Sequence, residues 1–242
     1  GFSQLLNPIF RELASYPGEQ FHVQLVTDMT REECRKQLRL DIDMMENLTV
    51  MIRRAAIDHP EAVEKLDPDA IDNIVLLSSE LAEDPLMADA ETIMAFVQLR
   101  QYYRQESEAQ TPAYVVELND EDNRDLFEFG AYHDVVMTQE IVSHLLSQVG
   151  MRRALAWIYE ELFTQNGPEI RLRTVRTVFE EAPDASITFE QLQLHCLHSN
   201  AVALGVRYQY PKEPYGRVRL NPAREDTLEL EPDDHIILIV DD

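Results

Sequence analysis

Three short apolar runs each end in acid. Asp28 follows Phe21–Val26, Glu80, Glu83 and Asp84 follow Ile74–Leu77, and Glu117 and Asp120 close the run Ala113–Leu118. Oxygen donors alone suit Ca²⁺ or Mg²⁺ rather than zinc, so Glu80, Glu83, Asp84, Glu117 and Asp120 form a candidate cation set. Their spacing is not that of an EF-hand. Asp84, followed by Pro85, also fits the ordinary duty of a helix N-cap. Asp28 is a candidate for the acid that a dinucleotide fold sets on ribose hydroxyls, but no G-x-G-x-x-G accompanies it, and a cap or solvated carboxylate is the plainer reading. His195-Cys196-Leu197-His198 offers softer ligands, yet alternation in an extended segment splits them between two faces. Tyr132-His133-Asp134 pairs a base with an acid without a nucleophile to activate. The chain carries no G-x-S-x-G, H-E-x-x-H or P-loop.

The bulk composition narrows the classes further. With 242 residues and 45% apolar content the chain can build one large core or two smaller ones. Its longest apolar runs, such as Ile236–Val240, fall far short of the roughly 18–20 residues of a membrane span. A formal charge of −24, with Lys36, Lys65 and Lys212 the only lysines, argues against a nucleic-acid binder. Acidity on that scale attracts cations or simply keeps a protein soluble. Cys34 and Cys196 show no CxxC spacing, which fits a reducing compartment.

These acids need elements to hold them. The spacing predicts a first helix with Leu5, Leu6, Ile9, Phe10 and Leu13 on one stripe, stopped by Pro17-Gly18. A strand over Phe21–Val26 follows, then a charged stretch from Thr30 to Leu40 that makes a poor helix. Leu48–Ile52 is the next strand, Pro60–Leu66 a short helix, and Ile74–Leu77 a strand apolar on both faces. Asp84-Pro85 opens a long helix whose core stripe is expected at Leu86, Ala90, Ile93, Met94, Val97 and Tyr102. After the strand Ala113–Leu118, a short helix from Glu121 to Phe129 leads to the strand Val135–Met137. Strands alternating with helices predict an α/β fold, a doubly wound parallel sheet. Ligands of such sheets sit beyond the carboxyl ends of the strands. Gly1 to Ser3, Asp28, Ser78 to Glu80, and Asn119-Asp120 fall there.

Two amphipathic helices come next. Ile141, Val142, Leu145, Leu146 and Val149 make one stripe, and Leu155, Ile158, Tyr159, Leu162 and Phe163 another. Together they expose more apolar face than one small lobe can cover, which predicts a partner subunit. Beyond Gly167-Pro168 the texture turns β-rich. Strands are expected over Ile170–Thr177, Ala201–Tyr208, Arg217–Leu220 and Ile236–Val240, with a short helix start at Thr188: a small α+β module. The expected organisation is 1–138, 139–166 and 167–242.

Arg219-Leu220-Asn221-Pro222, Asp226–Leu230, Pro232-Asp233-Asp234 and the strand Ile236–Val240 resemble the closing segment of RCK regulatory domains, which control K⁺ conductance. The family has Gly-Asp where this chain has Asp233-Asp234. Asn47-Leu48-Thr49-Val50, Asp72–Leu77, Ala88-Asp89-Ala90-Glu91-Thr92 and Val116–Asp120 are similar to the cytosolic domain of channels of the CASTOR/POLLUX type. The resemblance covers nearly the whole chain. It implies a Rossmann-like N-lobe, crossover helices over 139–163 that lock two lobes together, and a C-lobe. It also implies a first strand upstream of Gly1-Phe2, a transmembrane pore further upstream, and a cytoplasmic, homo-oligomeric and tetrameric gating ring. The implied ligand is Ca²⁺ or another cation. A nucleotide at Gly1, Ser3 and Asp28 is the alternative. No catalytic residue is expected; an NAD(P)-dependent enzyme on the same frame and a ligand-free scaffold are the rival readings.

Overall fold

The computed structural model describes residues 2–16, 18–42, 45–64, 66, 71–105, 112–123, 133–163, 167–179, 186–212 and 216–241. They cluster into two compact units, Gly1–Met151 and Arg152–Asp242, so the division falls within the helix pair of the middle segment.

Unit 1 opens with α1 (Leu6–Ser15), β1 (Phe21–Thr27), α2 (Arg31–Gln37) and β2 (Leu48–Arg54). β1 and β2 run parallel, with Phe21 opposite Leu48 and Thr27 opposite Arg54. A parallel pair needs a crossover, and α2 supplies it. The polar stretch expected to make a poor helix is therefore a helix. Thr30 Oγ1 accepts from the Glu33 amide at 3.3 Å while the Thr30 amide donates to Glu33 Oε2 at 2.8 Å. This capping box, with Cys34 turned fully inward, outweighs the low apolar content of the segment. Phe2, Leu6, Phe10, Leu25, Cys34 and Leu48 pack together beneath this half.

The second half of unit 1 comprises α3 (Glu61–Glu64), β3 (Asn73–Leu76), α4 (Pro85–Gln105), β4 (Ala113–Leu118), β5 (His133–Met137) and α5 (Thr138–Met151). β3, β4 and β5 form a parallel sheet in that order. Among the described residues β1 pairs only with β2, and β3 only with β4. Residue 2 lies beside the exit of β3, where the Glu80 amide donates to the Phe2 carbonyl at 3.0 Å. Beyond Asn123, the stretch expected to be helical to Phe129 lies outside the described residues.

The core stripe expected on α4 is displaced. Leu86, Met94 and Val97 are about half exposed or more, whereas Asp89, Thr92, Phe96, Leu99 and Tyr103 face inward. The helix is apolar on two sides, so periodicity alone does not fix its rotation. Thr92 satisfies its own hydroxyl on the Ala88 carbonyl at 2.9 Å. α5 buries no residue at all.

Unit 2 comprises α6 (Leu155–Phe163), β6 (Glu169–Thr174), α7 (Val175–Val178), β7 (Ile187–Thr188), α8 (Phe189–Leu197), β8 (Ala201–Lys212), β9 (Gly216–Leu220), β10 (Thr227–Leu228) and β11 (His235–Val240). The run expected as one strand to Thr177 breaks into β6 and the short α7. Four strands make an antiparallel sheet in the order β6-β11-β8-β9, and β7 pairs with β10. α8 begins on a capping box between Thr188 and Gln191 and continues through His195 to Leu197, where an extended segment was expected. Phe189, Leu192 and Cys196 of α8 pack on Val206, Tyr208, Ile236 and Leu238 from one sheet face. The register sets the other face: Ile170 and Val202 lie opposite Ile239, Leu172 opposite Ile237, and Val218 opposite Arg207. That outer face thus carries Ile170 and Leu172 from β6, Ile237 and Ile239 from β11, Val202 from β8, and Val218 and Leu220 from β9, with Arg207 among them.

Asp234 is 1% exposed and accepts from the Gln209 and Glu231 amides, each at 2.8 Å. This buried carboxylate holds the turn into β11. Asp233, where the resembling family has glycine, is exposed, ion-paired with Arg176 at 2.8 Å, and free of left-handed backbone. Nothing at that position demands glycine.

Candidate functional site

The carboxyl ends of β3 and β4 meet the first turn of α5 in a polar cluster. Glu117, 8% exposed, accepts from the Ser78 amide at 3.0 Å and from the Thr138 hydroxyl at 2.7 Å. One carboxylate thereby joins the exit of β3, the end of β4 and the start of α5. Beside it Asp89 is completely buried, and its two oxygens accept four hydrogen bonds. Oδ1 takes the Asn119 amide at 2.9 Å and Asn119 Nδ2 at 3.0 Å; Oδ2 takes the Asp120 amide at 2.9 Å and Asn123 Nδ2 at 3.0 Å. A buried charge satisfied this fully pins the loop after β4 onto α4. Asn119 Nδ2 also reaches Ser78 Oγ at 2.6 Å, closing the network.

The candidate cation ligands lie around this frame, each with a different commitment. Glu80 is exposed; its Oε1 accepts from Ser3 Oγ at 3.2 Å and from the Gln4 amide at 2.6 Å, next to the N-terminus of α1. The nucleotide reading reserves that end of α1 for a phosphate, since helix N-termini attract anions. Here a carboxylate of the chain itself occupies it. Asp84 Oδ1 caps α4 through the Met87 amide at 2.8 Å, and Asp120 Oδ1 accepts the Asp122 amide at 3.1 Å. Glu83 is exposed in the loop between Glu80 and Asp84. Glu117 spends both oxygens on Ser78 and Thr138, so it serves as a strut. Among the described residues no group of three or more His, Cys, Asp or Glu side chains is already gathered to hold a metal. A cation there would draw on Glu83 and on second oxygens of Glu80, Asp84 and Asp120.

Of the candidate nucleotide residues, Gly1 lies outside the described residues, and Ser3 is buried in contact with Glu80. Asp28 is exposed at the end of β1, in a cleft of about 460 Å³ that Glu33, Lys36, Arg54 and Leu81 also line. Arg54 Nε donates to the Asp28 carbonyl at 3.0 Å. Partial burial first, then the nearby Asp58 and Asp28 carboxylates, pushes the Glu91 carboxyl above its ordinary value. The negative field is thus felt across this edge of unit 1.

The soft ligands do not converge. Cys196 faces the core of unit 2, where burial raises its thiol to about 11. His195 stacks on Phe179 at 4.3 Å between ring centroids, and its Nε2 meets the Val178 carbonyl at 2.9 Å. Spacing placed Ser78 at a strand end but did not single out Asp89 or Thr138, two further members of the polar network. The available signal for Asp89 was an acid in phase with Thr92, Phe96 and Leu99 on an otherwise apolar helix.

No family model matches the chain. It is 23% identical over 212 residues to the ion channel CASTOR of Lotus japonicus, covering 76% of this chain and 25% of that protein. It is 22% identical over 209 residues to the probable ion channel CASTOR of Oryza sativa subsp. japonica, covering 75% of this chain and 23% of that protein. The chain thus spans about a quarter of the length of the curated relatives it matches. The human SLO3 gating ring superposes with a TM-score of 0.67 at 15% identity, over 97% of this chain and 45% of that one. The fold is shared with the human SLO3 gating ring, and the sequence is similar to CASTOR ion channels, as the resemblance implied.

Proposed function

We propose that this chain is a ligand-sensing regulatory domain of a cation channel, a non-catalytic subunit of a homo-oligomeric gating ring on the cytoplasmic side of the membrane. The proposed pore lies in a longer polypeptide, and the K⁺-regulating family named above makes potassium its proposed ion. Likeness to CASTOR channels over three-quarters of the chain and the gating-ring fold support this reading. Among the described residues no helix is long and apolar enough to cross a membrane.

The observation that carries the mechanism is the Ser78–Glu117–Thr138 connection. The proposed cation binds at Glu80, Glu83, Asp84 and Asp120, drawn by the acidic edge. Charge neutralisation there shifts the loop after β3, whose Ser78 amide is tied through Glu117 to the first residue of α5. α5 exposes Ile141, Val142 and Leu146, so a movement of its start is a movement of the surface offered to a partner. A ligand gates only by binding one arrangement of the ring more tightly than another. Residues 141–159 contain no Asp or Glu in a chain of net charge −24, and their only charges are Arg152 and Arg153, between the two helices. Depletion of charge is the signature of an interface core, which supports oligomerisation through helices 139–163. The cleft at Asp28, with Lys36 and Arg54 on its wall, favours a nucleotide as the second reading of the ligand.

Glu83→Gln removes an exposed carboxylate with no capping duty. The expected result in a calorimetric Ca²⁺ titration is about tenfold weaker binding, on the scale of one lost charged ligand. The melting temperature without cation should not change. Unaltered Ca²⁺ affinity in both Glu83→Gln and Asp120→Asn would remove these residues from the site.

A further inference from the structure

The segment that leads into α1 is held by a residue far from it in sequence. Leu5, at the N-cap position, makes no capping hydrogen bond through its side chain, and the first turn of α1 carries no acid. Glu80, 76 residues beyond Gln4, supplies what is missing: its Oε1 accepts the Gln4 amide at 2.6 Å and the Ser3 hydroxyl at 3.2 Å. The Glu80 amide in turn donates to the Phe2 carbonyl at 3.0 Å. Ser3 is 3% exposed, and its Oγ also accepts the Leu5 amide at 3.2 Å. With that amide as its donor, the single hydroxyl proton is left for Glu80. Phe2 and Leu6, on either side, are buried in the core of this half. The donors that meet Glu80 are therefore fixed in space, while the carboxylate they hold is exposed. Among the described residues its Oε2 accepts no hydrogen bond.

We propose that Ser3 is a positioning residue for the cation: with the Gln4 amide it holds one oxygen of Glu80 against α1 and leaves the other to the cation. The proposal rests on the cation reading above, and it moves Ser3 from a nucleotide contact to a support of Glu80. Two positive poles then share one carboxylate. The N-terminus of a helix carries a partial positive charge that repels a bare cation, but with Glu80 between them each has an oxygen of its own. Carboxylates that ligate a metal are themselves held by hydrogen bonds, and loss of such a support costs about 10–100-fold in metal affinity. The arrangement works in both directions. A cation on Oε2 restrains the Glu80 side chain and so strengthens the hold of Oε1 on the Ser3 hydroxyl and the Gln4 amide. Binding clamps the segment Phe2–Gln4 onto the exit of β3, a route for the signal besides α5. Whatever favours the clamped segment favours the cation by the same factor.

The test follows Ca²⁺ binding by calorimetry and hydrogen exchange of the Gln4 amide by NMR, both in the full chain. Ser3→Ala should weaken Ca²⁺ binding by about tenfold or more, although its hydroxyl touches no cation. In the wild-type chain saturating Ca²⁺ should slow exchange of the Gln4 amide by about fivefold or more, the low end of an ordinary coupling between sites. Glu80→Gln keeps an oxygen for Ser3 and Gln4 but loses the charge, so its Gln4 amide should exchange at one rate with and without Ca²⁺. A serine that only caps α1 would change the melting temperature of the Ser3→Ala chain and leave its Ca²⁺ affinity alone. The exchange experiment needs no Ser3 variant, so it decides the matter even where Ser3→Ala does not fold. A folded Ser3→Ala chain with wild-type Ca²⁺ affinity, or a wild-type Gln4 amide that bound Ca²⁺ leaves unchanged or speeds, overturns the positioning role while the cation reading stands. A wild-type chain that binds no Ca²⁺ overturns both.

Discussion

Asp89→Ala should lower the stability of unit 1 by about 3 kcal/mol, because two backbone amides and two side-chain amides lose their acceptor in a place water does not reach. At roughly 2–4 °C per kcal/mol for a domain of this size, its melting transition drops by about 6–12 °C. Asp89→Asn is informative because it keeps the shape. One oxygen becomes an amide nitrogen that must face two donors, so the asparagine recovers only part of the loss. The effect reaches the proposed site: with Asn119 and Asp120 released from α4, Asp120 no longer has a fixed position, and cation affinity falls along with stability. A melting temperature within about 1 °C of wild type would show that the loop after β4 is held by something other than this carboxylate.

The second large effect is on assembly. Trp157→Asp and Leu146→Asp each put a charge on an exposed apolar stripe that the account covers with a partner. Truncation or charging of a buried interface anchor costs about 2 kcal/mol or more, a thirtyfold or greater loss of affinity. Sedimentation should therefore show monomers at micromolar concentration. Both residues are largely exposed in the single chain, at 76% and 67%, so neither unit loses a core contact and both should melt as before. Variants that stay fully oligomeric would return α5 and α6 to internal packing and leave the motion of α5 without a receiver.

Much of the architecture was legible because the strands read as short apolar runs bounded by polar residues. Phe21–Val26, Ala113–Leu118 and Ile236–Val240 lie in strands, as does Ile74–Leu77 except for Leu77, which follows β3. What periodicity missed has physical causes. α4 is apolar on two faces, and its rotation is fixed by Asp89, whose four hydrogen-bond partners come mostly from some thirty residues further on. α2 is polar nearly throughout and is held by a local capping box and one buried cysteine. α8 looked extended because the His-Cys-Leu-His tetrad was read as alternating, although Phe189, Leu192 and Cys196 keep a helical phase. Of the candidate site, the acids at the strand ends were visible in the sequence. Which of them are struts was not. Glu117 is set apart only by Ser78 and Thr138, and those arrive through tertiary pairing rather than spacing.

The central claim is that a ligand binds this domain and stabilises one arrangement of it. Thermal unfolding of the wild-type chain, alone and with Ca²⁺, Mg²⁺, Na⁺, K⁺ or an adenine nucleotide, tests it directly. A ligand present at 100 times its dissociation constant should add about 2.7 kcal/mol, a rise of roughly 5–11 °C. That rise is expected with Ca²⁺ or another cation, and about half of it in Glu83→Gln at the same concentration, where tenfold weaker binding leaves about 1.4 kcal/mol. An unfolding temperature unchanged by every one of these ligands would contradict it.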